Sequence, residues 1–327
     1  MRKALTILTL FLFFLPEINS QTLFRVMSYN VENLFDTEDN PATDDQEFLP
    51  SGGRRWNNKR YYHKLQQIAK VIAAAGEWDT PALVGLCEVE NDTAVTHLLR
   101  KTPLYIQQYQ YCISNSSDRR GINVALLYQR DKFRYLNHHS IPVSHRRKNT
   151  RTARDILHVS GEVLSGDTLD VIICHFPSKY GGEKESETRR MDAAMALRKL
   201  CDSLIRVRSC PLIIAMGDFN DLPGSRCMKL ITENNLQNLF ADGKGSHKYH
   251  GEWSQLDQMI IHRSMLSSKT GMKLVPGSTR NFSPSFLLTK DKTWRGIRPR
   301  RTYYGYKYEA GYSDHLPVLA DFLLYLP

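Results

Sequence analysis

A single α/β domain with a large β core is the fold class this sequence predicts, and three observations predict it. Short β-rich apolar runs recur along the 327 residues, helical apolar stripes fall between them, and no repeat or low-complexity linker divides the chain. Hydrophobic residues make up 41 %, charged residues 24 % and aromatic residues 10 %, which excludes a disordered, collagen-like or multi-span membrane protein. Charge is the outlier. Lys and Arg number 44 against 34 Asp and Glu, a formal +10 that suits a phosphate-bearing partner and equally suits a merely soluble basic protein.

The N-terminus comes first in chain order. Arg2 and Lys3 precede an apolar run over residues 4–15, and Ser20 offers a small residue for cleavage. This is the pattern of an export signal over residues 1–20, and the run is too short to cross a bilayer core of ~30 Å. The expectation is an exported protein, periplasmic or extracellular, whose mature domain spans 22–327 with no transmembrane segment. Loss of Arg2, Lys3 and Glu17 with the signal leaves +9. Six cysteines follow, too few for a disulfide scaffold. Cys201 and Cys210 are close enough in sequence to pair, while Cys87 and Cys174 sit in apolar runs as small hydrophobes do. No Cys/His spacing suggests zinc.

Strands are predicted at 23–29, 82–87, 123–128, 169–174, 212–216, 256–261 and 316–324, several of them apolar on both alternating faces as in covered sheets. A helix is predicted over 62–75, where Leu65, Ile68, Ala69, Ile72 and Ala73 form a stripe that stops at the C-cap signal Gly76. Another runs over 187–207, with Met191, Ala194, Met195 and Leu204 along its apolar side. Three loops stand out. Residues 36–53 are acidic before Arg54 and Arg55, residues 145–154 are rich in Arg, and residues 295–312 interleave Arg298, Arg300 and Arg301 with five tyrosines.

Strand after strand ends or begins in polar groups. The first reaches Asn30, the second Glu88, the fourth His175, and the fifth leads through Gly217 into Asp218-Phe219-Asn220. Asp257 opens the sixth, and Ser313-Asp314-His315 precedes the last. Singly, each has a plain structural reading: Asp218 as a turn former, His315 as a hydrogen-bonded edge histidine, Glu88 as the partner of a surface base. Together they supply the parts for metal-assisted phosphoester hydrolysis, provided the strand directions gather them on one rim.

The set resembles the endonuclease/exonuclease/phosphatase superfamily, which includes pancreatic deoxyribonuclease, apurinic endonucleases, neutral sphingomyelinases and inositol-polyphosphate 5-phosphatases. The resemblance runs from Met27-Ser28-Tyr29-Asn30 to Ser313-Asp314-His315-Leu316-Pro317-Val318, with Gly217-Asp218-Phe219-Asn220 and Ser313-Asp314-His315 as its most specific marks. Asn30 to Phe35, Glu88 to Asn91 and Trp253 to Asp257 look like an exported bacterial branch. The implied fold is a four-layer sandwich: two packed mixed β-sheets flanked by helices, as in deoxyribonuclease I. By the resemblance Glu88, Asn30 and Asp314 contact the metal. Hard oxygen ligands favour Mg²⁺, with Mn²⁺ or Ca²⁺ as substitutes. Asp218 orients or deprotonates water, Asn220 holds a phosphoryl oxygen, Asp257 fixes and charges His315, and His175 contacts the phosphate.

One departure stands out. In the pancreatic branch a Glu orients the histidine matching His175, but the strand 121–128 here has no acid, only Asn123. Arg120, Lys179, Arg189, Arg301 and Tyr303 are candidates for holding substrate, Arg as phosphate forks and Tyr against bases or sugar. His247-Lys248-Tyr249-His250 resembles a spaced metal pair but reads as surface in its Gly-rich loop. The expected function is a monomeric, exported, metal-dependent nuclease. A phospholipid or inositol-phosphate hydrolase of the same superfamily is the alternative, and a non-catalytic phosphate- or nucleic-acid-binding protein is the rival of another class.

Overall fold

The computed structural model describes residues 21–143, 154–179, 182–267 and 271–326. The expected export signal over 1–20, and Arg146, Arg147, Lys148 and Arg151 of the basic loop, lie outside the described residues. The chain runs β1 (Gln21–Leu34), α1 (Asn58–Gly76), β2 (Leu83–Val89), α2 (Asp92–Arg100), β3 (Gln110–Ile113), β4 (Asn123–Tyr128), β5 (Phe133–Ile141), β6 (Ile156–Val163) and β7 (Thr168–His175). It continues through α3 (Glu183–Val207), β8 (Leu212–Asp218), α4 (Arg226–Thr232), β9 (Leu236–Asn238), β10 (His247–Tyr249), β11 (Glu252–Ser254), β12 (Asp257–His262) and α5 (Ser264–Ser267). The last elements are β13 (Gly271–Leu274), β14 (Arg280–Asn281), β15 (Leu288–Lys290), β16 (Ile297–Pro299), β17 (Tyr303–Tyr304), β18 (Lys307–Tyr308) and β19 (Val318–Tyr325).

Two mixed sheets form. One has the order β13-β19-β1-β2-β4-β3, with β14 also on β19, and the other the order β5-β6-β7-β8-β12-β9. They pack face to face over a shared core that includes Val26, Leu83, Leu126 and Val318 from one side and Leu157, Val171, Ile214 and Met259 from the other. At Gly85 the sheets pack tightly, since a methyl group there would meet Ile173 Cδ1 at 2.8 Å and Met216 Cε at 3.0 Å. The outer faces carry the helices. Leu65, Ile68 and Ile72 of α1 and Leu98 of α2 cover the first sheet, while Ala194, Leu197 and Ile231 of α3 and α4 cover the second. This is the four-layer sandwich the resemblance implies.

Local chemistry explains the elements. Asn57 accepts from the Arg60 N–H and so caps α1, one of the backbone donors that a helix start leaves unpaired. The left-handed residue that stops α1 is Glu77, φ +59°, one position beyond the expected Gly76. β5 and β6 escape an apolar-run reading. β5 is an exposed edge strand carrying Arg134, Asn137, His138 and His139, and β6 buries His158 and Ser160, which bond Asp170 at 2.9 and 2.5 Å, while Arg208 pairs with that same carboxylate at 2.8 and 3.0 Å. All six cysteines are free. Cys201 and Cys210 do not pair, because the first is buried and the second exposed. No helix among the described residues is long and apolar enough to cross a membrane.

Arg25 ties three elements together. Its guanidinium makes a forked pair with Asp321 at 2.7 and 3.0 Å, joining β1 to β19, and donates to the carbonyls of Ala75 and Gly76 at the end of α1. Both partners are buried, and with Arg25 deleted Asp321 keeps only the longer 3.3 Å contact to the half-buried Arg280, so its charge is left underpaired. Arg25→Ala is expected to cost about 3 kcal/mol, and the paired change Arg25→Leu with Asp321→Leu distinctly less. Urea unfolding of both variants measures the difference, and equal losses would mean that the pairing is not what stabilises this corner.

Candidate functional site

The site forms where strand ends from both sheets meet, and irregular backbone aims its side chains. β1 and β2 pair in register as far as Asn30 and Cys87, then the ladder shifts. Glu32, Asn33 and Glu88 take left-handed conformations, with φ of +55°, +53° and +67°. Such bulges re-aim side chains at the edge of a sheet. Here they lift Glu88 from the ladder, where its Oε2 accepts from the Asn33 N–H at 2.8 Å. On the other sheet Gly217 has φ +145°, and a Cβ there would lie 1.9 Å from the Cys174 carbonyl oxygen. Only glycine lets β8 run this close to β7 just before Asp218.

From these ends the side chains converge. Asn30 donates its amide to Asp218 Oδ2 at 3.1 Å, from one sheet to the other, and to Glu88 Oε1 at 3.3 Å. His175 Nε2 stands 3.6 Å from Asp218 Oδ2 and 3.8 Å from Glu88 Oε1. Asn220, with φ +50°, gives its backbone N–H to Asp218 Oδ1 and its amide to Phe176 O and Asp218 Oδ2. On the far side His315 Nδ1 meets Asp257 Oδ2 at 2.6 Å, while its Nε2 lies 3.8 Å from Asp218 Oδ2. Seven of the expected residues thus form one connected cluster: Asn30, Glu88, His175, Asp218, Asn220, Asp257 and His315.

Asp314 joins it from the side. Its contacts are Arg301 at 2.8 Å and His247 at 3.9 Å, and none to Glu88 is made. Arg301 in turn lies 3.4 Å from the buried Glu32. Arg301, expected to hold substrate, therefore has its guanidinium engaged by two acids. Tyr303 departs further from that expectation. It is 3 % exposed, its hydroxyl donates to Arg54 O and its ring packs near Trp56 and Tyr308, so it is core rather than rim. Arg120 is half-exposed, Lys179 exposed and Arg189 half-buried on α3. Asn123 does not orient His175. It donates to Glu90 O and accepts from Ser114 and Ser116, and the Nδ1 of His175 has no partner.

Sequence reading missed several members. The sequence places His247 on the surface, yet its ring lies 4.6 Å from that of His315, because β10 meets the 315 position in an isolated bridge. Ser246 donates to Asp257 at 2.6 Å and Ser313 to Asn30 O at 2.7 Å. Lys64 is buried on α1 and donates to Thr302 Oγ1 and Tyr312 O, both at 2.5 Å. A charged residue within the apolar stripe 61–72 was the available signal for Lys64, and none marks His247.

The electrostatics follow from burial and pairing. Burial pushes the Asp218 carboxyl up to about 7, with Asp257 adding to the rise and His315 opposing it. Burial works against a charge on His315, but Asp257, Asp218 and Asp314 outweigh it and hold the imidazole well above its usual value. His175 goes the other way: burial, then Arg154 and Arg120, push it well below, so it is neutral. Burial likewise lowers His247 to about 4 and Lys64 to about 8. Ligand atoms of Asp218, Asp257 and His315 lie within 4.8 Å of one another, as do those of His247, Asp314 and His315. Both groups are close enough for a metal ion. Glu88 offers the more open position. Its side chain is 16 % exposed, and no Lys or Arg pairs with it among the described residues, only the Asn30 amide, the Asn33 backbone N–H and a neutral imidazole. Glu88 and Asn30 therefore fit a hard divalent cation.

The fold recurs in solved structures. An endonuclease/exonuclease/phosphatase family protein from Bacteroides thetaiotaomicron aligns with TM-score 0.60 at 14 % identity, covering 94 % of this chain and 96 % of that one. The mannosyl-6-phosphatase Bt3783 of the same organism aligns with TM-score 0.61 at 14 % identity, covering 91 % and 99 %. Truncated TDP2 of Caenorhabditis elegans gives 0.56 at 14 %, covering 92 % and 97 %. No curated protein matches the sequence. The model of the Endonuclease/Exonuclease/phosphatase family matches residues 25–323, nearly the whole of the two sheets and every member of the cluster. The chain belongs to that family, one of phosphoester hydrolases.

Proposed function

We propose that the protein is a metal-dependent phosphodiesterase whose substrate class is nucleic acid, acting after export. The observation that carries the activity is the series Asp257, His315, Asp218, Asn30 and Glu88, hydrogen-bonded except for the 3.8 Å ion-pair step from His315 to Asp218, which sets an acid titrating near neutrality between a cationic imidazole and an open carboxylate. The substrate reading draws on the overall +10, and the export reading on Arg2, Lys3 and the apolar run that follows them.

The chemistry divides among the residues. A divalent ion, when bound by Glu88 and Asn30, supplies Lewis-acid neutralisation of phosphoryl charge. Asp218 takes the proton of the attacking water, whose oxygen forms the new bond to phosphorus as the bond to the leaving oxygen breaks. Asn220 holds Asp218 in place through its backbone N–H, and its amide, fixed by Phe176 O, lines the same space. His315, kept charged by Asp257, donates from Nε2 to a phosphoryl oxygen, and the leaving oxygen gains its proton from solvent or from this imidazolium. Neutral His175 donates one hydrogen bond from Nε2 and adds no charge. A mannosyl-6-phosphatase among the structural neighbours supports a second reading, a small sugar phosphomonoester as substrate.

Purified protein with Mg²⁺ is expected to cleave bis-p-nitrophenyl phosphate and plasmid DNA, and EDTA to abolish both. Release from a lipid, inositol or sugar phosphate without any nucleic acid cleavage would overturn the substrate and keep the chemistry. Asp218→Asn should lower kcat by about 10²-fold or more. Activity retained in that variant overturns the mechanism. Because Asp218 must be deprotonated to accept a proton, the rate should climb as pH rises through about 7. That limb should vanish in Asp218→Asn. In calorimetry, Glu88→Gln should weaken Mg²⁺ binding at least tenfold, since it removes the one unpaired carboxylate charge of the set.

A further inference from the structure

The 36 positions between β14 and β19 carry two hairpins, β15–β16 and β17–β18. With the tip of the β10–β11 hairpin they enclose a pocket of about 330 Å³ whose wall reaches Asp314 and Arg301 of the site. We propose that this pocket seats a single ring esterified to the phosphate and so selects the ester. The inference rests on the phosphoesterase reading and goes beyond it, by assigning where the organic part of the substrate lies.

The walls are aromatic and open. Tyr249 is 66 %, Trp294 48 % and Tyr304 39 % exposed, an unusual cost for one small patch in water. The His250 ring stacks on Tyr249 at 4.0 Å and reaches Trp294 at 5.1 Å, so the three make a continuous platform. The platform is already rigid. Lys248 bridges the hairpins, pairing with Asp291 at 3.0 Å and donating to Arg295 O at 2.8 Å, while Asp291 accepts the Thr293 and Trp294 N–H groups. Tyr304 donates to Thr293 Oγ1 at 3.2 Å on the opposite wall.

Charge then limits what fits. Lys248 is held by Asp291, Arg298 by Glu309 at 2.7 Å and Arg301 by Asp314 at 2.8 Å. Among the described residues the pocket has no uncommitted Lys or Arg for a second phosphate. It offers stacking faces with hydrogen-bonding edges, the surface that binds a sugar or a nucleobase. Its volume is at the small end for ligand sites, about 300 to 1,000 Å³, enough for a ring and too little for a duplex or an acyl chain. A hexose phosphate and a nucleotide both present such a ring.

Kinetics of the full chain and of Trp294→Ala on three esters separate the sources: a thymidine dinucleotide, glucose 6-phosphate and the ringless glycerol 3-phosphate. For the ester whose ring is seated, the variant's kcat/KM should fall about tenfold relative to its value on glycerol 3-phosphate, the loss of one stacking contact. The dinucleotide or the hexose ester, whichever shows the fall, names the source. A uniform loss on all three, or no loss on any, overturns the pocket. If the wild-type protein hydrolyses none of them and also fails on bis-p-nitrophenyl phosphate, the phosphoesterase reading fails on its own account; if it cleaves only the latter, that reading stands, and in both cases binding decides the pocket. Thymidine or methyl α-glucopyranoside at millimolar concentration should quench tryptophan fluorescence in the wild type and not in Trp294→Phe. Absence of quenching with both ligands overturns the inference.

Discussion

The hydrogen bond from Asn30 to Asp218, 3.1 Å long, crosses from one sheet to the other, and the site exists only because the sheets sit at the spacing that lets it form. Neither sheet alone carries a complete set. Asn30 and Glu88 come from the first, and His175, Asp218 and Asp257 from the second, while His315 lies three residues before β19, the strand that flanks β1. Register therefore matters as much as residue type, since a slip of one position would turn each strand end away from the cleft. Gly85 leaves room for Ile173 and Met216 of the facing sheet and Gly217 for the approach of β7 to β8 at the rim, so two missing side chains shape the geometry together with the charged ones present.

Charge balance is the second constraint. Four carboxylates, those of Glu88, Asp218, Asp257 and Asp314, share a region meant for an anion. The protein offsets three of them internally: His315 sits between Asp257 and Asp218, and Arg301 holds Asp314 while also facing Glu32. Lys64 lends a buried positive charge from below the same loop. Glu88 is left over, and the imbalance of one carboxylate favours a cation there. The basic excess of the whole sequence does not sit in this inner shell, where nearly every cation is matched.

Much of the fold was legible because its strands are covered on both faces and read as apolar runs, and all seven runs are strands. The edge strand β5 and its neighbour β6 were not, since β5 is polar and exposed and the buried His158 and Ser160 of β6 are satisfied by Asp170 on β7, which Arg208 pairs with from beyond α3. The site was legible where chemistry concentrates at strand ends. Asp218, Asn220 and His315 announce themselves in short motifs, and Asp257 opens a strand. What the sequence hid was long-range placement. His247 looked like half of a surface pair until a β-bridge laid it on His315, and Tyr303 looked like a rim aromatic until its hydroxyl turned inward to Arg54 O. Neither fact follows from local spacing, because both depend on how the 282–312 segment folds back.

The cysteines carry a practical consequence. Five of the six thiols are buried and Cys210 alone is exposed, in the turn that leads into β8. Asp218 ends that same strand, eight positions on and so about 25 Å away at ~3.3 Å per residue. The native chain thus comes with a unique attachment point for a fluorophore at the opposite end of the strand that carries its central acid. A probe there can report by energy transfer on a labelled ligand entering the cleft, with no cysteine added or removed.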